Sequence, residues 1–420
     1  MGVRAAAFVA LTALPTLGAC TSSVDSLGTL RSPDGGAATP LRPLTGPASY
    51  PNPFRDVLGK TETEIANKIS SAFAQLFHGN PDDEAIYFTS GPEGAYIRDI
   101  LHNDIRTEGI SCGMMVAVQL NHRTEFDRLW TYARTTLRYN SGPNQGYYRS
   151  ECDGVGPGGC VDPYGYQQFT MALIFAHNRW VRPAGSAPPA LDYQADALSL
   201  LQVMQHKEAL AGGIVDGVTN TFDAETKLPF SYPNASVGKV TRPSIEMPAY
   251  YALWAQATGD GFWTQAASAA RAHWKKAAHP TTGLFPLRAA FDGTPVDGFD
   301  YFAPEAYRAQ ISMTLDRIWG NSDSWAVDES NRLLQFFAGK GLDTYGRAFS
   351  LDGTMTVDPS HDPSLVVSNG ASAAIATVPQ AQAFINEVWT LATPTGNARY
   401  YTGILDLLSL LILGGQFRVY

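Results

Sequence analysis

Helical hydrophobic periodicity recurs along the chain from residue 61 to residue 420, and it constrains the fold more than any other feature. In the segment 124–138 apolar residues follow the spacing i, i+3, i+4, i+7 and i+11, namely Phe126, Leu129, Trp130, Ala133 and Leu137. Similar patterns predict about twelve helices, at 62–78, 113–121, 124–138, 166–181, 193–209, 243–258, 261–277, 304–319, 323–338, 366–377, 379–392 and 400–413. Several of them are apolar on nearly every face, which places them inside a layer of other helices.

Signals for β-structure are few, and the strongest is the run Ala85-Ile86-Tyr87-Phe88. The periodicity therefore predicts an all-α chain with inner and outer helices. No Pro/Gly-rich linker divides residues 61–420, and a chain of this length can bury one large core. We therefore predict a single domain over residues 54–420.

The first twenty residues have the pattern of a bacterial targeting signal. Arg4 supplies a positive charge, an apolar run follows, and Leu17-Gly18-Ala19-Cys20 resembles a lipobox, whose cysteine carries the lipid. We predict a lipoprotein signal at 1–20 with lipidation of Cys20, and an ordinary secretory signal is the alternative. Residues 21–53 are rich in Ser, Gly, Pro and Thr and read as a flexible tether. Either signal places the protein outside the cytoplasm, lipid-anchored or secreted.

Cysteine usage and charge restrict the chemistry further. Cys152 and Cys160 flank a glycine-rich loop and are predicted to form a disulfide in an oxidising compartment, whereas Cys112 is predicted to be free and buried. The chain has no CxxC or HExxH motif, and its eight His residues are scattered, so no metal site is predicted. A net charge of −9 without a Lys/Arg run argues against nucleic acid as a partner.

Glu108 is the strongest candidate for catalysis. It lies beside Gly109 and shortly before the apolar run 114–120. A carboxyl group at the mouth of a buried helix is partly desolvated, which raises its pKa as a general acid near neutral pH requires. The alternative is that Glu108 only caps a helix.

The segment Thr107-Glu108-Gly109-Ile110-Ser111-Cys112-Gly113-Met114-Met115 resembles the acid-bearing motif of glycoside hydrolase family 8. Glu108 matches the proton donor, while Cys112 stands where the family usually has an aromatic residue. Further segments match in order over most of residues 85–375, and their order resembles the reducing-end xylose-releasing exo-oligoxylanases more than the endoglucanases. The resemblance implies an (α/α)6 toroid of six helical hairpins and hydrolysis with inversion.

Inversion requires a second carboxyl group about 6.5–9.5 Å from the first, so that a water molecule fits between the base and the sugar. In the exo-acting branch the base is an aspartate directly before Ala/Ser-Tyr-Arg, and here that position is Glu305. We predict that Glu305 is the base, with Asp300 as the reserve candidate. The alternative is that Glu305 only begins a helix after Pro304.

The family also has an aspartate that holds the sugar in a distorted shape. Tyr164 stands at the matching position, and Asp162, two residues earlier, is predicted to take over the role. The resemblance predicts substrate contacts for six residues: Arg106, Tyr164, Tyr166, Tyr307, Arg308 and His361. Trp180 is either a further stacking residue or part of the core. Glu246 replaces a histidine of the exo-acting branch, which bears on chain-end specificity.

The sequence thus predicts a glycoside hydrolase that needs no cofactor, acts as a monomer and cleaves β-1,4-linked oligosaccharides. Xylo-oligosaccharides rank ahead of cello-oligosaccharides and chitosan fragments. The alternatives are an endo-acting glucanase or chitosanase of the same family, a lyase on an α/α toroid, and a surface lipoprotein that binds glycan without cleaving it.

Overall fold

The computed structural model describes residues 40–150, 157–181, 191–321 and 323–420. The predicted signal at 1–20 with Cys20, and the predicted tether up to residue 39, lie outside the described residues. So does Cys152, which leaves its pairing a prediction, although Cys160 is disulfide-bonded.

The described part of the chain contains thirteen α-helices and seven short β-strands. The helices are α1 (Pro53–Asp56), α2 (Glu62–His78), α3 (Thr107–Leu120), α4 (Arg123–Tyr132), α5 (Pro163–Arg179), α6 (Tyr193–Ala211), α7 (Pro248–Thr258), α8 (Gly261–Ala277), α9 (Tyr307–Ile318), α10 (Trp325–Lys340), α11 (Pro363–Ala373), α12 (Ala381–Thr390) and α13 (Tyr401–Leu413). The strands are β1 (Tyr87–Ser90), β2 (Gly94–Ile97), β3 (Val240–Thr241), β4 (Ala289–Ala290), β5 (Tyr301–Phe302), β6 (Ala348–Ser350) and β7 (Thr356–Asp358).

Six helices form a closed inner ring. α3, α5, α7, α9, α11 and α13 each pack against the next in this order, and α13 closes the ring against α3. These helices are buried on almost every face, and in α13 every residue from Thr402 to Leu413 is buried. The structure is therefore the predicted (α/α)6 toroid, with α2, α4, α6, α8, α10 and α12 as the outer layer.

The outer helices bury one stripe each, because only one side of each helix meets the ring. In α4 the buried residues are Phe126, Leu129 and Trp130, three of the five that defined its periodicity. The last two of the five, Ala133 and Leu137, lie in a π-helical turn that continues α4 and are also buried. The pattern in this segment thus predicted the core-facing side correctly.

All six inner helices follow an outer helix in the chain, so they run parallel to one another. Residues at the N-terminal ends of α3, α9, α11 and α13 line one cavity, and residues at the C-terminal ends of α3, α5 and α13 line another. The positive ends of the inner helix dipoles therefore meet at one end of the toroid.

The strands form three small antiparallel sheets, β1-β2, β3-β4 and β5-β6-β7. The strand predicted at 85–88 is present two residues later as β1, which pairs Tyr87 with Ile97 and Ser90 with Gly94. The sheets are positioned next to the functional segments, because β2 leads towards α3 and β5 leads directly to Pro304. Among the described residues, no helix is both long and apolar enough to cross a membrane.

Two predicted boundaries need correction. The domain begins before residue 54, because Leu41 is buried and the Arg42 amide donates to the Ala257 carbonyl at 2.8 Å. A Pro- and Ser-rich composition did not reveal these few anchoring contacts. Helix α3 starts at Thr107 and not at 113, so Glu108 lies inside its first turn. Gly109 and Gly113 masked the first two turns of the helix in the sequence, although close packing stabilises them.

Gly165 allows α5 to approach α3 at Thr107 and Glu108. A Cβ atom at this glycine would lie 2.7 Å from the Thr107 carbonyl carbon and 2.8 Å from the Glu108 amide nitrogen. We expect Gly165→Ala to destabilise the protein by about 1–3 kcal/mol, because backbone atoms cannot swing aside as a side chain can. The midpoint of urea unfolding measures this effect.

Gly261→Ala is the matched control for this prediction. Gly261 begins α8, and nothing lies within 4 Å of a Cβ atom built there. Its substitution should leave the stability unchanged or raise it by up to about 1 kcal/mol. Equal unfolding midpoints for the two variants would contradict the close approach of α5 to α3.

Candidate active site

A cavity of about 560 Å³ opens where the N-terminal ends of the inner helices meet. Its wall contains the three predicted acidic residues Glu108, Asp162 and Glu305, which are far apart in the sequence. Further charged residues in the wall are Asp99, Arg106, Arg242, Arg308, Arg347 and Asp362. The ring of helices has thus brought the predicted carboxyl groups into one site.

Glu108 enters the cavity from the first turn of α3. Only 13% of its side chain is exposed, Arg308 donates to its Oε1, and the Tyr400 hydroxyl donates to its Oε2 at 3.2 Å. Burial raises the pKa of Glu108 above its ordinary value of 4.5, and the attraction of Arg308 does not cancel this effect. The carboxyl group is therefore suited to hold a proton and donate it.

Glu305 lies in a 3₁₀ turn (Pro304–Ala306) directly before α9 and has 34% of its side chain exposed. Its Oε1 accepts hydrogen bonds from Arg242 Nη1 and from Arg308 Nη2, the latter at 3.4 Å. Burial acts to raise the pKa of Glu305, but Arg242 and Arg308 outweigh it, and the net pKa is below 4.5. The group is therefore suited to stay ionised and accept a proton.

A single guanidinium group links the two carboxyl groups. Arg308 reaches Glu108 through Nη1 and Glu305 through Nη2, and its planar head lies 4.2 Å from the centre of the Tyr164 ring. Arg308 follows Glu305 by one helical turn, which sets their separation. The two environments push the pKa values of the two glutamates apart, as an acid and base pair requires.

Asp162 is the N-cap residue of α5. Its Oδ1 accepts from the Tyr164 amide at 3.2 Å, and its Oδ2 accepts from the Gly165 amide at 3.1 Å. Arg242 Nη2 also donates to Oδ1 at 3.2 Å. The carboxylate is thus held rigidly at the cavity wall by a helix end and a cation.

Arg242 and the tyrosines Tyr400 and Tyr401 were not predicted from the sequence. Arg242 lies between β3 and a 3₁₀ turn (Pro243–Ile245), where no periodic pattern marks it. The only available signal was its position directly before the family-like segment Pro243-Ser244. The tyrosines lie at the start of α13, whose apolar pattern gives no reason to single them out.

Three tyrosines predicted to contact sugar lie behind the cavity wall. Tyr164 is buried beneath Arg308 and beside Cys112, and the Tyr166 hydroxyl donates to the Gly146 carbonyl at 3.0 Å in the core. Tyr307 is also buried and donates to the Arg347 carbonyl. None of the three lines the cavity, because a motif match locates a residue in sequence but not the direction of its side chain. Their contact with sugar stays a prediction. Burial raises the pKa of the free thiol of Cys112 to about 12, so it stays protonated.

Arg106 and Arg308 do line the cavity, and their contact with sugar stays a prediction. His361 is exposed and contacts the Tyr345 carbonyl oxygen at 3.0 Å, next to Asp362 in the wall. Its predicted role at the reducing-end sugar is likewise untested. Asp300 is exposed and does not line the cavity, which favours Glu305 as the base.

Two further residues lie away from the cavity. Glu246 is fully buried and paired with His273 at 2.6 Å, so the exchange at this position does not alter the cavity wall. Trp180 donates to Asn121 at 2.8 Å, beyond the C-terminal end of α3 and opposite the cavity. Trp180 is half-buried and packs edge-on against Phe126 at the margin of the core.

The fold is a toroid of helical hairpins, and two carboxyl groups of opposite pKa shift lie in one of its cavities. This combination is typical of hydrolases that use a general acid and a general base. Residues 85–415 match the family model "Glycosyl hydrolases family 8", and the chain belongs to this family. The protein is therefore a glycoside hydrolase.

Named relatives agree with this assignment. The chain is 34% identical to the reducing-end xylose-releasing exo-oligoxylanase Rex8A of Paenibacillus barcinonensis, over 89% of this chain and 97% of that protein. It is 33% identical to a reducing end xylose-releasing exo-oligoxylanase of Halalkalibacterium halodurans, over 90% of this chain and 98% of the relative. The solved structure of Rex8A complexed with xylose superimposes with a TM-score of 0.80, covering 89% of this chain and 98% of that chain.

We expect a bell-shaped pH dependence of kcat/KM. Activity should fall as the pH drops through the pKa of Glu305, below 4.5, because the base must be ionised. It should also fall as the pH rises through the pKa of Glu108, above 4.5, because the acid must be protonated. Initial rates across the pH range measure both limbs, with unfolding temperatures at each pH as the control. A basic limb below pH 4.5 in a folded protein would contradict the assignment of the acid.

Proposed function

We propose that the protein hydrolyses β-1,4-linked xylo-oligosaccharides with inversion and releases xylose from the reducing end. The observation that carries this proposal is the pair Glu108 and Glu305, held in one cavity by Arg308 and shifted in pKa in opposite directions. The two relatives named above support the choice of sugar, since both are reducing-end xylose-releasing exo-oligoxylanases.

In the proposed reaction Glu108 donates its proton to the glycosidic oxygen as the bond from that oxygen to the anomeric carbon breaks. A water molecule attacks the anomeric carbon from the opposite face, and Glu305 takes the proton that the water loses. The anomeric configuration is thereby inverted. Proton exchange with solvent then restores the protonated Glu108 and the ionised Glu305.

Asp162 is proposed to hold the sugar ring beside the cleaved bond. Its carboxylate lies in the cavity wall, and its two oxygens are fixed by the first turn of α5 and by Arg242. A carboxylate held in this way can accept hydrogen bonds from sugar hydroxyls without first losing conformational freedom. Two carboxyl groups and a water molecule suffice for the chemistry, and a monomer is the proposed state.

We further propose that the protein is anchored outside the cytoplasm by a lipid on Cys20. Leu17-Gly18-Ala19-Cys20 and the apolar run before it support the proposal. The anchor would be the protein's contact with the membrane.

The experiment for the enzymatic function uses the soluble protein from residue 40 onward with xylo-, cello- and chito-oligosaccharides, and it follows the products by mass and anomeric NMR. We expect xylose, with inversion, from the xylo series. Glu108→Gln and Glu305→Gln should each lower kcat about 10²–10⁴-fold, because each removes one proton transfer.

Asp300→Asn is the matched control, since Asp300 is an exposed acidic residue a few positions before Glu305. It should retain wild-type activity. Retention of the anomeric configuration would contradict the mechanism. Binding of xylo-oligosaccharides without any product would favour the alternative of a glycan-binding lipoprotein.

The anchor is tested by expressing the full chain and Cys20→Ser in a bacterial host fed with labelled palmitate. We expect the label and detergent-phase partitioning in the wild type and neither in the variant. A wild-type protein that enters the medium unlabelled would instead support the ordinary secretory signal.

A further inference from the structure

Arg242 connects two of the three predicted functional carboxyl groups of the cavity, those of Asp162 and Glu305. Its side chain is almost fully buried, with 6% exposed, and it comes from a segment distant in sequence from both partners. Nη1 donates to Glu305 Oε1, and Nη2 donates to Asp162 Oδ1 at 3.2 Å. A planar guanidinium group can serve both acceptors at once, which a lysine ammonium group on its flexible stem does less well.

Arg242 is itself held from several sides. Nη2 also donates to the Ser231 carbonyl at 3.0 Å, and the guanidinium lies 4.9 Å from the centre of the Tyr232 ring. Asp162 is fixed in turn by the amides of the first turn of α5. A rigid chain of contacts therefore runs from the start of α5 through Arg242 to Glu305.

Glu305 needs such support more than an aspartate would. Its side chain has one methylene group and one rotatable bond more than the aspartate of the branch that the sequence resembles. Both arginine contacts fall on Oε1, so they fix one oxygen and orient the other, Oε2. A base must be placed to within a fraction of an ångström of the water it activates.

We propose that Arg242 is the positioning residue for the general base: it draws the longer Glu305 side chain back towards the wall, keeps it ionised and leaves Oε2 to accept the proton of the water. This inference rests on the proposed function, because it takes Glu305 to be the base. It assigns to Arg242 a role distinct from that of Arg308, which contacts both the acid and the base.

The charged and titratable groups facing Glu305 determine the sign of the effect. Arg242, Arg308 and Arg288 lower the pKa of Glu305, while Asp162, Glu108 and Tyr401 are the nearby acidic groups. Removing the charge of Arg242 takes away the strongest of the attractions. The pKa of Glu305 then rises, and the acidic limb of kcat/KM moves to higher pH.

The test compares Arg242→Gln and Arg242→Lys with the wild type by pH profiles of kcat and KM on the substrate that the wild type cleaves. We expect Arg242→Gln to move the acidic limb upward by about 1 pH unit or more, in line with the usual effect of an adjacent arginine. We expect kcat to fall about 10- to 100-fold with a smaller change in KM, because the base is misplaced. Arg242→Lys should restore the limb to within about half a pH unit but not the full kcat, since it keeps the charge without the planar fork.

Arg271→Gln is the matched control. Arg271 forms a two-bonded ion pair with the buried Asp316 and does not line the cavity. Its loss should lower the unfolding temperature and leave the acidic limb in place. An unmoved limb in folded Arg242→Gln would overturn the proposal. If Arg242→Gln does not fold, Arg242→Lys is the test of the proposal. A wild-type kcat in Arg242→Lys would then overturn the proposal.

A second readout does not depend on activity. Protein labelled with ¹³C at the glutamate carboxyl carbons is titrated by NMR, and the Glu305 signal is identified by its loss in Glu305→Gln. A higher pKa of Glu305 in Arg242→Gln than in the wild type supports the proposed contact. An unchanged pKa overturns it. If the contact is supported and the wild type cleaves no oligosaccharide, the proposed function fails and the electrostatic link stands.

Discussion

The alternation of charge from Asp162 through Arg242, Glu305 and Arg308 to Glu108 is the interaction on which the rest of the site depends. All members except Glu305 are largely buried, and an isolated charge in such a buried position would cost several kcal/mol. Each guanidinium group offsets two carboxyl groups, so Asp162, Glu305 and Glu108 can share one cavity without all of them taking up protons. The loss of either arginine would leave a buried carboxylate with one partner fewer.

The same network explains how two residues of one type acquire opposite pKa shifts. Glu108 is the more deeply buried of the two glutamates, and desolvation outweighs the attraction of Arg308. Glu305 is more exposed and touches two arginines, so attraction outweighs desolvation. The toroid makes this contrast possible, because its parallel inner helices deliver side chains from distant parts of the chain to one end of the ring.

Much of the fold could be predicted from the apolar pattern. Inner helices are apolar on nearly every face, whereas outer helices have one apolar stripe, and this difference is visible in the sequence. Glu108 could be found because its motif is continuous in the sequence. The start of α3 was missed since Gly109 and Gly113 weaken helix propensity, while their small size admits Tyr400, Ile97 and Leu129 closely enough to stabilise the helix. Arg242 was missed because a lone arginine in a loop has no periodic partner.

The sequence by itself determined the helical layers, the family and the candidate for the acid, because periodicity and a contiguous motif are local properties of the chain. Only the tertiary structure decided which side chains face the cavity, since that depends on how non-adjacent segments meet. It placed Tyr164, Tyr166 and Tyr307 behind the wall and brought Arg242 between Asp162 and Glu305. The opposite pKa shifts of the two glutamates are likewise tertiary in origin, because burial and the distance to a guanidinium group exist only once the ring has closed.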